Sequence, residues 1–81
     1  MPSNLEKLQA AFGEALPLPP GVNYDAIEYG KTDGWDSVAH MSLIAHIEGA
    51  FDLMLETDEV VGLSSFLKAK ELVSKYGVPL E

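Results

Sequence analysis

The sequence predicts an all-α domain, a bundle of three longer helices with one short helix between the second and the last and a long first connection. Three observations carry this. Apolar residues recur every three or four positions in three separate stretches. Clusters of proline and glycine fall between them. No run shows the strict alternation of a half-buried strand. The 81 residues make a single domain, 1–81. A chain this short buries only roughly 60% of its unfolded surface, so the core is thin and a large enclosed cleft is not expected. A hydrophobic content of 47% is that of a folded chain and too high for an acidic disordered tail.

The first helix opens at Ser3-Asn4-Leu5-Glu6, a capping box in which the serine hydroxyl serves the third amide and the glutamate reaches back. Leu5, Leu8, Phe12 and Leu16, with Ala11 and Ala15, form its apolar face. Pro17, Pro19, Pro20 and Gly21 end it, since proline has no amide proton and excludes helical geometry from the residue before it. Positions 17–36 show no period, and a connection this long needs anchors, for which Val22, Tyr24, Ile27, Tyr29 and Trp35 are the candidates. Asp33-Gly34 is a turn and not a hairpin, because no alternating run flanks it. The second helix starts at Asp36-Ser37, with Asp36 as the cap, and runs to about Asp52. Met41, Leu43, Ile44, Ile47, Ala50 and Phe51 are its expected buried stripe. Thr57 to Gly62 makes one or two helical turns. Ser64 or Ser65 caps the last helix, with Phe66, Ala69, Leu72, Val73 and Tyr76 inward. Lys68, Lys70 and Lys75 are placed toward its C-terminal half, where cations are favoured, and Gly77 and Pro79 stop it.

Thirteen acidic and five basic residues give a net charge of −8, and the five are all lysine. This excludes phosphate-backbone binding, which needs clustered Lys and Arg, so no nucleic acid is expected. It disfavours anionic membranes and suits steering toward basic protein surfaces. No apolar run approaches the roughly 18 residues of a membrane span, and no signal peptide is expected from the N-terminal residues. The absence of cysteine removes thiolate metal sites and cysteine nucleophiles and fits a reducing compartment, so the expected location is cytoplasmic.

Asp36, Ser37 and His40 do not make a hydrolase. Ser37 and His40 sit three apart on one helix, and a nucleophile elbow would need glycine where Trp35 and Ala39 stand. His40 is expected as an exposed helix histidine. His40 and His46 point about 120° apart around a helix and do not converge on a metal. The acidic stretch 52–59 does not fit a calcium loop, whose third and sixth positions are here Met54 and Thr57. No metal site is predicted.

Gly34-Trp35-Asp36-Ser37-Val38 resembles the attachment motif of acyl carrier proteins, in which Asp-Ser-Leu opens the second helix; Val38 replaces the leucine. The resemblance continues through Leu43, Ile47 and Phe51, the acidic Asp58-Glu59 of a short third helix, and Ser64-Ser65-Phe66, and spans about residues 3–77. It implies the acyl-carrier four-helix bundle and a monomer that catalyses nothing itself. A phosphopantetheinyl transferase would attach 4′-phosphopantetheine from coenzyme A to the Ser37 hydroxyl, and the arm's thiol would hold an acyl group as a thioester for loading and transferring enzymes of fatty-acid, lipid or specialised acyl metabolism. A helix N-terminus favours the resulting phosphate. Asp36 would help bind the transferase's metal. Val38, Met41, Ala45, Glu48, Asp58 and Glu59 would meet partner enzymes, and Met41, Ile44, Leu55 and Val60 would line the acyl pocket.

In the same light, Ala39, Ser42, Ala45 and Gly49 stand where the family usually places acids along the second helix. Contact should lean on shape and apolar area, which points to a dedicated partner set. Two other readings share the sequence: an aminoacyl or peptidyl carrier with the same arm, and an unmodified acidic interaction domain.

Overall fold

Helix α1 (Asn4–Ala15) begins where Ser3 Oγ accepts the Glu6 N–H at 3.1 Å and Glu6 returns a carboxylate oxygen to the Ser3 N–H at 2.9 Å. These reciprocal bonds satisfy two of the donors that every helix start leaves over. The structure, a computed structural model, describes residues 3–80. The remaining helices are α2 (Ser37–Phe51), α3 (Thr57–Gly62) and α4 (Phe66–Lys75), with a 3-10 turn at Tyr24–Ala26 inside the first connection. The described residues contain no strand.

α1 and α2 pack along their lengths, and α4 closes the third side. Leu8, Phe12, Leu43, Ile47, Phe66 and Val73 are sealed from solvent. Rings tie the layers together. Phe12 meets Phe66 edge-on at 5.0 Å between centroids and Trp35 edge-on at 5.7 Å. Such edge-to-face pairs add about 0.5–1.5 kcal/mol beyond area burial.

The long first connection is anchored, though by fewer residues than the sequence suggests. Ile27 and Trp35 are buried, Val22 and Tyr24 pack partly against the core, and Tyr29 stays about half exposed. Backbone pairing supplies the rest. Tyr29 N–H donates to the Ser64 carbonyl at 2.8 Å and Phe66 N–H to the Ile27 carbonyl at 3.2 Å, an isolated antiparallel bridge between Glu28 and Ser65. The connection is thereby stitched to the segment that starts α4. Gly34 turns the chain at φ +86°, and a Cβ there would run into the Pro17 ring. The chain needs glycine at this point for both reasons, just before the α2 cap.

Two expectations are corrected. Met41 and Ala50 lie outside the buried stripe of α2, which narrows to Leu43, Ile44 and Ile47. Lys68 and Lys70 fall in the N-terminal half of α4, and only Lys75 lies in its last turn. No residue of α3 is fully buried; the helix lies on the surface with Val60 packed partly against the core, and Leu63 just after it is the anchor. Ser65 is the residue that caps α4, accepting the Lys68 N–H at 3.0 Å.

Phe12→Ala should cost about 3–5 kcal/mol in urea unfolding, because three elements share that ring. Gly30→Ala, at the same φ but in open space, should cost about 1–2 kcal/mol. Gly34→Ala should cost more, since Pro17 must also move.

Candidate functional site

Ser37 is the first residue of α2, and its side chain is exposed. Asp36 fixes the helix start: its carboxylate accepts the Ala39 N–H at 2.8 Å, and its carbonyl accepts the His40 N–H at 2.8 Å. The Ser37 and Val38 amides then belong to the first-turn donors that no helix can satisfy internally. A hydroxyl here stands in water beside free N–H groups at the positive end of a 15-residue helix. An anionic substituent on that oxygen would be favoured.

Trp35, two residues earlier, holds this start in place. Only 4% of it is exposed. Phe12 and Tyr29 both meet its ring edge-on at 5.7 Å, and the His40 ring stacks on it at 5.9 Å with 21° between planes. The indole Nε1–H donates to His40 Nδ1 at 3.0 Å. The opposite ring nitrogen, Nε2, lies 2.7 Å from the Val60 carbonyl of α3. An indole N–H only donates and a carbonyl only accepts, so the imidazole carries its proton on Nε2 and is neutral. This corrects the expectation of a free, exposed His40. It also removes the hydrolase reading on a second ground, because neither ring nitrogen is left to take a proton from Ser37.

Beside Ser37 lies an open cavity of about 360 Å³, lined by Tyr29, Ser37, His40, Met41, Val60, Val61, Leu63 and Ser64. It sits between α2 and α3. Of the four pocket residues named from the resemblance, Met41 and Val60 line it. Ile44 is sunk in the core and Leu55 is half-buried elsewhere. Tyr29, His40, Val61, Leu63 and Ser64 were not anticipated. For His40 alone the sequence holds a signal: a buried tryptophan needs an acceptor, and His40 stands one helical turn past the Asp36 cap.

Val38 at 80%, Val61 at 77% and Met41 at 61% exposure surround Ser37 with apolar surface. Ala45 and Asp58 are also exposed. Two of the acids expected at a partner face are otherwise engaged. A Glu48 carboxylate oxygen accepts the Leu55 N–H at 2.9 Å and closes the connection from α2 to α3. The Glu59 side chain is only 9% exposed. It accepts from the Glu56 N–H at 2.9 Å, from the Tyr76 hydroxyl and from Lys75 at 3.0 Å. His46, exposed on the same helix, folds back along it, its Nδ1 at 2.7 Å from the Ser42 carbonyl. Among the described residues no three His, Asp or Glu side chains gather as a metal site, and no described helix is long and apolar enough to cross a membrane.

The bonds at Glu59 pull its carboxyl from an ordinary 4.5 to about 2, chiefly through the Glu56 N–H and then the Tyr76 hydroxyl. The same contact raises Tyr76 from 10.0 to about 12, because the Glu59 carboxylate accepts its proton. A lowered carboxyl stabilises the fold fully above about 4.5, and that contribution drains as pH falls through about 2. A raised phenol contributes fully below 10.0 and is lost as pH rises through about 12. In urea midpoints measured against pH, Glu59→Gln should flatten the acid limb. Tyr76→Phe should remove the alkaline limb and only part of the acid one, since the Glu56 N–H remains.

Comparison of the chain with protein-family models, with curated proteins and with solved structures finds no match.

Proposed function

We propose that this domain is a carrier of acyl-type groups, bearing a 4′-phosphopantetheine arm on Ser37. The observation that supports this most is the conjunction at the α2 start. A solvent-facing hydroxyl on the first helical residue stands beside unsatisfied amides, with the mouth of a cavity of about 360 Å³ next to it. The residues fit such a group. The phosphate would lie against the Ser37 and Val38 amides, and Asp36, already capping the helix, keeps one carboxylate oxygen free of the Ala39 bond for a metal brought by the transferase. The arm supplies a thiol, which this chain lacks. In loading, the Ser37 oxygen forms a bond to phosphorus as the pyrophosphate bond of coenzyme A breaks. The adenosine bisphosphate half leaves, and the serine proton passes to the transferase.

The chain's own part is positional. Trp35 and the Asp36 cap hold Ser37 outward, and Val38, Met41 and Val61 offer a partner enzyme a dry surface around the attachment point. The five lysines lie on α1, the first connection and α4, and none on α2 or α3. With Glu48 and Glu59 turned to internal bonds, contact at this face leans on apolar area more than on acid–base pairing. We place the protein with a dedicated partner set in the cytoplasm.

Incubation with coenzyme A, magnesium and a broad-specificity phosphopantetheinyl transferase, followed by intact mass, tests the reading. The expected result is a gain of one phosphopantetheine, absent in Ser37→Ala. A folded protein that stays unmodified would leave an acidic interaction domain in its place.

A further inference from the structure

α3 is six residues long, sinks only Val60 and the Glu59 side chain partway into the fold, and could not persist alone, since isolated helices this short are unstable in water. Polar tethers hold it from two sides. Glu59 ties it to α4 through Tyr76 and Lys75. On the other side, among the described residues, the one side-chain hydrogen bond to α2 runs from His40 Nε2–H to the Val60 carbonyl at 2.7 Å. That carbonyl lies near the end of α3, where helical partners run out, and its other donor, the Leu63 N–H, is at 3.4 Å. Val60 and Val61 form one wall of the cavity beside Ser37, and His40 and Met41 form the facing wall.

From this geometry we infer that His40 is a latch. It is a positioning residue whose Nε2 bond holds α3 closed against α2, and whose release widens the cavity beside Ser37. The Trp35 bond to Nδ1 sets the imidazole tautomer and the ring plane, so the buried indole holds the latch in its closing orientation. Motion of α3 is thereby coupled to the segment that presents Ser37, through one ring. The inference rests on the carrier reading only for what the cavity receives. The latch itself is a property of the unmodified chain, and its test does not involve Ser37.

The two ring nitrogens can be separated by substitution. An asparagine amide oxygen falls near the His Nδ1 position and keeps an acceptor for Trp35, while a glutamine amide nitrogen falls near Nε2 and keeps a donor for Val60. Amide hydrogen exchange on the unmodified protein reads the outcome residue by residue. His40→Ala and His40→Asn should raise exchange at the Val60 and Val61 amides by about tenfold or more, with Leu43 to Ile47 of α2 unchanged, as expected for a local opening. His40→Gln should restore protection of α3. Uptake of the neutral probe N-phenyl-1-naphthylamine should rise in His40→Ala and His40→Asn and not in His40→Gln. Unchanged α3 exchange in His40→Ala, equal protection in His40→Asn and His40→Gln, or loss of protection in all helices together would each overturn the latch. If His40→Ala does not fold, the Asn and Gln variants carry the same contrast.

Discussion

Burying Trp35 takes an indole N–H out of water, and a buried donor without an acceptor costs about 1–3 kcal/mol. His40 supplies that acceptor from the next turn of chain, and in doing so commits its other nitrogen to α3. Three elements that share no large apolar interface are joined by this one side chain: the end of the first connection, the start of α2 and the end of α3. Around it the rings of Phe12, Tyr29 and Trp35 leave little freedom for the segment to shift. The placement of Ser37 follows, since Trp35 and the Asp36 cap fix the backbone on one side and α2 fixes it on the other.

A site built this way divides its labour. The core proper, built on α1, α2 and α4 with Ile27, Trp35 and Leu63 from the connections, is apolar, and among the described residues no buried one is polar or charged. The functional end is held by directional bonds: Asp36 to Ala39, Trp35 to His40, His40 to Val60, and Glu59 to Tyr76. Hydrophobic packing is non-directional and gives compactness. Hydrogen bonds give orientation at modest net stabilisation, typically about 1 kcal/mol each. Local opening at α3 therefore costs far less than global unfolding, and it occurs where the cavity lies.

Much of the frame could be read from the residues. The capping box at Ser3, the proline block after Leu16, the Asp36 cap and the Ser64-Ser65 pair are local signals, and each marks a helix boundary in the structure. What could not be read was tertiary. Met41 fits the apolar period of α2 as well as Leu43 does, yet it faces the cavity mouth, because α3 lies on the surface and does not cover it. Glu48 and Glu59 look like solvated acids in sequence. Their engagement depends on where Leu55 and Tyr76 arrive, seven and seventeen positions away. His40 is the sharpest case. A lone helical histidine has no local signature of its partners, and only the burial of Trp35 calls for one.

The imidazole tautomer tests this account most directly, because the whole chain of contacts requires it. Long-range proton–nitrogen correlation spectra of the histidine rings near neutral pH should show His40 protonated on Nε2 and bare on Nδ1, with the Trp35 indole N–H slow to exchange with solvent. A proton on Nδ1, or an indole N–H that exchanges as freely as in an unfolded chain, would contradict it.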